Sequence, residues 1–326
     1  MSSNSNSNLS TSGRTIVPII DLSDRSSSFD DKAHIIRDAA HKHGFFAVIG
    51  CEEFVSQELT LKHQRLQEAF FALPLDKKME IKVNASHCGY TRIGEETLDV
   101  ESSTCGDLRE GLYFRMPENC IKEHPLQGTN QWPSENDIPE YRKTVDDYMG
   151  GLSALGFHLL KLCAVALGFE ENVFEKYFTE PLLTLRPLLY QDKASNEAAG
   201  EFAAGKHTDY GFLTILYAPQ PGLQIWQDGP EWEGWVDIQP LTEGFVINVG
   251  DMLEHFTGGF MKSTVHRVVN HRGYKRFSCP FFFEPDYHAQ IVPLCGYVGE
   301  STNTSAMIYG EYLMSKYRKT HKDFNA

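Results

Sequence analysis

The segment Lys206 to Leu216 reads KHTDYGFLTIL and sets His207 and Asp209 two residues apart, ahead of an apolar run (Phe212, Leu213, Ile215, Leu216). On a strand, residues i and i+2 point to one face, so an imidazole and a carboxylate converge on one point. A metal ion that accepts both nitrogen and oxygen suits that pair. A third donor must come from elsewhere, and His266 in STVHRVVN, at the head of another apolar run, is the preferred candidate. Two imidazoles and one carboxylate on one face of an octahedral Fe(II) leave positions open for a co-substrate and O2. A lone His-x-Asp is a weak signal in a chain with 13 histidines. Asp251, Glu254 and His255 in GDMLEHF, and His271 in HRGYKR, compete as donors. His266 is preferred because a ligand at the mouth of a strand is held rigidly, whereas His271 reads as part of a hairpin turn.

A second constellation suits an anion. RFS puts Arg276 and Ser278 on one strand face. A guanidinium forks onto a carboxylate with two hydrogen bonds, and a hydroxyl adds a third. Tyr190, at the end of LRPLLY, is a further phenolic donor for the same anion. Each has an ordinary alternative, a surface arginine or a core tyrosine. Of Phe281, Phe282 and Phe283, those facing inward are expected to line a pocket.

The elements that must position these residues lie mostly beyond residue 182. There LLTLRPLLY, FLTILYA, LQIW, WVDI, GFVINVG, STVHRVVN and RFSCPFFFE recur as short β-type runs separated by turns, which predicts a sandwich or barrel, with a jelly roll as the natural closure. Ahead of them, helices are expected over 29–43, closed by Gly44, and over 56–72, capped by Ser56. A strand is expected at FFAVIG (45–50). The charged run DKKMEIK reads as a solvated helix face, and residues 84–135, including DLREGLYFRMP, as loop-rich. A long helix is expected over 137–167, a short one over 171–178, and another over 303–319. The expected organisation is a disordered Ser/Asn-rich tail (1–14), an N-terminal region of helices and loops (15–135), a helical support (136–181), a β core (182–302) and a C-terminal helix (303–326).

Composition bounds the function. A net charge of −14 without a basic run argues against nucleic acid as a partner. The seven cysteines are scattered with no C-x-x-C, so neither a disulfide framework nor a zinc site is expected. The opening MSSNSNSNLSTSG has no apolar core and is not a signal peptide. No run approaches a membrane span. These readings predict a cytoplasmic monomer acting on a small molecule.

Taken together, the blocks VPIIDLS, HGFFAVIG, FFALPLDKK and Gly89-Tyr90, followed by HTDYGFLTIL, GLQIW, INVGDMLEHFTGGFMKSTVHRV and RFS, resemble the iron(II)/2-oxoglutarate-dependent dioxygenase superfamily. The similarity is to its isopenicillin N synthase-like branch and covers nearly the whole ordered chain. It implies a distorted jelly roll (double-stranded β-helix) flanked by helices. It implies Fe(II) ligation by His207, Asp209 and His266. It also implies 2-oxoglutarate binding by Arg276 and Ser278, helped by Tyr190, with O2 as co-substrate and ascorbate as candidate reductant. The implied reaction releases succinate and CO2 and hydroxylates, desaturates or cyclises a small molecule. One departure is Leu188, where the family commonly carries an asparagine two residues before the tyrosine. The alternatives are an isopenicillin N synthase-like oxidase without 2-oxoglutarate, an ethylene-forming type that FTGG (256–259) resembles, and a non-catalytic binding protein on the same fold. The substrate pocket is expected from residues 89–110, the 281–283 strand and the helix near 309–317.

Overall fold

The computed structural model describes residues 17–118, 121–228, 233–294 and 305–321, so the disordered tail expected over 1–14 lies outside the described residues. β1 (Ile19–Asp21) leads into α1 (Phe29–Lys42) and then β2 (Phe45–Ile49), which pairs parallel to β1. Ser28 and Asp31 cap α1 reciprocally: the Asp31 N–H donates to Ser28 Oγ at 3.1 Å and the Ser28 N–H to Asp31 Oδ2 at 3.0 Å. Gly44 stops the helix at φ +66°, and a Cβ there would lie 2.2 Å from the Lys262 carbonyl oxygen. Only glycine meets both conditions.

Next come α2 (Gln57–Phe71), capped by Ser56, α3 (Leu75–Met79), β3 (Gly89–Thr91), β4 (Arg109–Met116) and α4 (Tyr141–Ala166). Four expectations fail in this stretch. DLREGLYFRMP is not a loop, because β4 is an eight-residue strand paired with β3 and with strands of the core. Its Arg109, Glu110 and Arg115 are buried, so polar letters hide a strand: Glu110 pairs with Lys78, Arg109 with Glu96 and Asp107, and Arg115 Nη1 donates to the Ser86 and Leu126 carbonyls. Nor is the DKKMEIK run wholly solvated. Lys78 is buried, with Nζ 2.6 Å from Glu110 Oε2 and 3.2 Å from the Phe71 carbonyl oxygen. The long helix begins at Tyr141 rather than 137, because Glu140 sits in the left-handed region at φ +59°. By length and composition α4 could cross a membrane, contrary to the sequence reading, yet it packs here against α1, α2 and the sheet.

The remainder runs β5 (Pro181–Leu185), β6 (Leu188–Tyr190), β7 (Ala204–His207), β8 (Leu213–Tyr217), β9 (Leu223–Gln227), β10 (Gly234–Asp237), β11 (Phe245–Val249), α5 (Asp251–Phe256), β12 (His266–Val268), β13 (Arg276–Asp286), β14 (Gln290–Ile291), β15 (Met307–Ile308) and α6 (Tyr309–Thr320). The run LLTLRPLLY is two strands, broken at Arg186-Pro187, and the helix expected over 171–178 reduces to a single turn at Glu175–Tyr177. The C-terminal helix starts at Tyr309, and residues 303 and 304 of the expected span lie outside the described residues.

A nine-stranded sheet runs β1-β2-β11-β8-β13-β5-β4-β3, with β6 paired to β13 and β4. A four-stranded sheet, β10-β9-β12-β7, faces it. This is the mainly β, helix-flanked jelly roll expected from the run of short strands. Strands β1 to β4, from the N-terminal region, belong to the large sheet. Strand parity assigns the two faces of β13. Phe277, Cys279, Phe281 and Phe283 enter the core beneath the helices, while Arg276, Ser278, Pro280, Phe282 and Glu284 line a cavity between the sheets. Of the three consecutive phenylalanines, only Phe282 faces that cavity.

α4 and β13 meet where Gly156 lets the Phe283 ring approach. A Cβ on Gly156 would sit 2.3 Å from Phe283 Cδ2, whereas one on Gly150, in the same helix, would meet nothing within 4 Å. Ala is favoured over Gly in a helix by about 1 kcal/mol, but overpacking a rigid buried ring costs about 1–3 kcal/mol. Gly156→Ala should therefore lower the midpoint of thermal or urea unfolding, while Gly150→Ala should leave it unchanged or raise it. Equal midpoints for the two variants would contradict this packing.

Candidate metal and co-substrate centre

β7 and β12 are antiparallel neighbours, and their register sets His207 directly opposite His266. The rings are 4.2 Å apart between centroids. Asp209 lies two residues past His207, beyond the end of β7 rather than on it, so the same-face argument holds for the approach but not for the strand. Its Oδ1 is 3.8 Å from His207 Nε2 and 3.7 Å from His266 Nε2. Among the described residues, these three form the group whose donor atoms converge, all within 4.8 Å of one another.

What surrounds the donors settles which atoms are offered. His207 Nδ1 is 2.9 Å from the Gly205 carbonyl oxygen and His266 Nδ1 is 3.0 Å from that of Thr264. A carbonyl only accepts, so both Nδ1 atoms carry a proton, and in the neutral ring this leaves the lone pair on Nε2. Asp209 Oδ2 accepts from Thr214 Oγ1 at 2.5 Å and from Asn248 Nδ2 at 2.7 Å, which leaves Oδ1 free toward the imidazoles. Burial, with His266 alongside, pushes the His207 imidazole down to about 3. Burial alone would raise the Asp209 carboxyl, but the two imidazoles and the two donors outweigh it, and it lies below the usual carboxylate range. The site thus sets an ionised carboxylate beside the neutral His207 imidazole, with His266 Nε2 turned to the same point, so that three donor atoms face one position a cation could take.

The competing donors are engaged elsewhere. Asp251 accepts from Ser263, Tyr312 and Lys316, Glu254 accepts from the Ser263 N–H, and His255 reaches the Ser305 carbonyl. His271 is exposed in the connection between β12 and β13.

The anion candidates meet on the same cavity. Arg276 pairs with Tyr190 and Ser278 with Leu188 across β13 and β6. Ser278 Oγ is 3.3 Å from the Tyr190 hydroxyl, and the Arg276 guanidinium carbon is 4.8 Å from the Tyr190 ring centre. Arg276 is 4 % exposed, and its Nε is held by the Pro221 carbonyl at 3.0 Å. Neither Nη nitrogen has a protein partner. Two orphaned donors on a buried permanent cation are costly unless an acceptor fills the fork. A carboxylate fits it, and 2-oxoglutarate supplies one.

The sequence reading assigns no individual role to several polar residues that line the cavity: Glu96, Arg109, Arg186, Thr214, Asn248 and Glu284. Arg109 and Glu284 lie on strands whose faces parity could have assigned. Glu96 lies in a segment without periodicity, whereas Arg186 keeps the alternation of Leu188 and Tyr190 across the short break between β5 and β6. Leu98 and Arg109 from the 89–110 stretch, Phe282 from β13 and Tyr317 from α6 do line it, as expected.

Supports to a ligating carboxylate typically contribute roughly 10- to 100-fold in metal affinity. For an ion seated on the three donors, Thr214→Val and Asn248→Ala should each weaken Mn(II) or Fe(II) binding by about that factor in an anaerobic titration, with the fold intact by circular dichroism. Unchanged affinity in both variants would refute the role given to Oδ2.

Two family profiles match the chain. One, described as non-haem dioxygenase in morphine synthesis N-terminal, matches residues 17–135, and the 2OG-Fe(II) oxygenase superfamily profile matches residues 179–285. A 2-oxoglutarate-Fe(II) type oxidoreductase, hxnY, from Emericella nidulans is 31% identical, over 88% of this chain and 84% of that protein. The 2-oxoglutarate-dependent dioxygenase traH from Penicillium crustosum is also 31% identical, over 93% of each chain. Among solved structures, a full-length Neurospora crassa protein in complex with alpha-KG superposes with a TM-score of 0.78 at 25% identity, over 91% of this chain and 94% of that one. The protein belongs to the 2-oxoglutarate/Fe(II) oxygenase superfamily and is a 2-oxoglutarate-dependent dioxygenase that uses Fe(II) and O2.

Proposed function

We propose that this dioxygenase hydroxylates a C–H bond of a small organic molecule in the cavity between the two sheets. Desaturation and ring closure are alternative outcomes of the same hydrogen removal. In this reading His207, Asp209 and His266 hold the iron, and Arg276, Ser278 and Tyr190 hold the distal carboxylate of 2-oxoglutarate. The observation that carries it is the Arg276 fork, buried in the barrel with both Nη nitrogens unpartnered.

Bound Fe(II) and 2-oxoglutarate supply the oxidising power, since decarboxylation to succinate and CO2 is coupled to splitting O2 and oxidising the substrate. The chain's own groups position and protect that chemistry. The Gly205 and Thr264 carbonyls fix both imidazole tautomers, and Thr214 and Asn248 keep one carboxylate oxygen turned inward. Leu188, Leu216, Leu223 and Val268 line the cavity and keep it dry, which strengthens the pairing of Arg276 with an anion. Within the family we place the chain in the isopenicillin N synthase-like branch, acting as a cytoplasmic monomer with ascorbate as reductant. The five described cysteines, all unpaired, support a reducing compartment.

Asp209→Ala should abolish iron binding and turnover, while His271→Ala should change neither. Removing one side of a buried, hydrogen-bonded charge pair costs about 2–5 kcal/mol, so Arg276→Leu should weaken 2-oxoglutarate roughly 30-fold or more with little change in iron affinity. Arg276→Lys should recover only part, because an ammonium cannot form the planar fork. Succinate yield against 2-oxoglutarate concentration reads the effect. Superimposable curves, or product formed without 2-oxoglutarate, would overturn this assignment in favour of an isopenicillin N synthase-like oxidase.

A further inference from the structure

The cavity contains a second buried arginine with an open donor. Arg186, in the break between β5 and β6, is 4 % exposed. Its guanidinium carbon lies 3.7 Å from the centre of the Tyr113 ring, and its Nη2 donates to Glu96 Oε2 at 2.6 Å. Its Nη1 has no protein partner. Glu96 cannot turn wholly to Arg186, because Arg109 Nη2 shares the same oxygen at 2.8 Å and His321 Nε2 lies 3.4 Å from the other. Arg186 is therefore fixed by a ring face and by one edge and left open along another.

This arginine is not part of the Arg276 fork. The Arg186 N–H donates to the Pro280 carbonyl at 2.9 Å, which sets its backbone level with Pro280. Arg276 is four residues earlier on β13, about 13 Å away along an extended strand.

Arg109, held at Nη2 by Glu96 and Asp107, keeps an unpartnered Nε, and one lining carboxyl is also unsatisfied. Glu284 is 4 % exposed and its Oε2 has no partner. Arg186 and Glu284 are not equivalent. A buried carboxyl escapes its desolvation cost by taking up a proton, and burial pushes Glu284 up to about 7. A guanidinium has no such escape, since it stays charged at any accessible pH. The group that still needs a partner is the cation, so the cavity favours an anionic ligand over a cationic one. Tyr113, Tyr210, Phe282 and Tyr317 supply ring faces around it, which suit an apolar body.

We propose that Arg186 orients the substrate and that the substrate is a small carboxylic acid with an aromatic or otherwise apolar body, its carboxylate on Nη1. Glu96 and Tyr113 act as positioning residues for Arg186. The proposal rests on the dioxygenase reading above, with 2-oxoglutarate on Arg276.

The test is calorimetry on the full chain loaded with Mn(II), which prevents turnover, and saturated with 2-oxoglutarate. Benzoate, phenylacetate and cinnamate are compared with their primary amides and with benzylamine and phenethylamine. The acids should bind at least about tenfold tighter than either neutral or cationic counterparts. Arg186→Met should erase that preference, Arg186→Lys should keep part of it, and both should leave 2-oxoglutarate affinity within about twofold. Arg276→Leu should do the opposite, weakening 2-oxoglutarate and sparing the acids. Amides or amines that bind as tightly as the acids, or no binding by any of the series, would overturn the proposal. That comparison is made on wild type and does not depend on a variant folding. Acid affinity unmoved by Arg186→Met would also overturn it. Failure of the reading it rests on would look different, as 2-oxoglutarate affinity unmoved by Arg276→Leu.

Discussion

A carboxylate held between two imidazoles in a buried site is the constraint on which the rest of this structure depends. Left alone, such a group would be expelled or protonated, because an isolated buried charge is far more expensive than any single packing contact. Here Thr214 and Asn248 donate to one oxygen of Asp209, and those donors come from β8 and β11 of the large sheet. The imidazoles come from β7 and β12 of the small one. The site therefore exists only where the two sheets face each other in a single relative position. The apolar core beneath the helices enforces that position by backing the odd-numbered face of β13.

Charge is handled in the same way throughout the interior. Lys78 meets Glu110, which also accepts from Tyr90. Glu96 draws in Arg109 and Arg186, and Asp107 backs Arg109. In these clusters most of the donors and acceptors find one another, which is how a low-dielectric interior tolerates ions. On the cavity wall the matching is incomplete: Arg276, Arg186, Arg109 and Glu284 each keep an unsatisfied atom. Unfinished hydrogen bonding beside otherwise well-matched ions marks where a ligand belongs.

What can be read in the sequence follows from periodicity and spacing. The triad donors, the Arg276–Ser278 pair and most core strands announce themselves through apolar alternation and a short motif. The jelly-roll architecture follows from the number and rhythm of those strands. β4 is illegible for the opposite reason. Its Arg109, Glu110 and Arg115 look like loop residues, because the groups they bond (Glu96, Lys78 and the Ser86 and Leu126 carbonyls) come from other segments. The start of α4 is hidden for a local reason, the left-handed Glu140, which no apolar pattern reports. Arg186 is hidden by Pro187, which interrupts the apolar run, although Arg186, Leu188 and Tyr190 keep one alternation onto the cavity.

The parity of β13 has an evolutionary consequence. One face of this strand lines the cavity and the other forms core, so inserting or deleting one residue would exchange the two sets and place Arg276 among phenylalanines. Such a strand can diversify only by substitution, in a fixed reading frame of faces. The segment carrying Glu96 and Leu98 obeys no such parity, and with it the end of α6 can change length while His207, Asp209 and His266 stay in register. New substrate ranges would thus arise by indels at the rim and by point changes on the floor, two mutational routes that leave separable signatures in related genes.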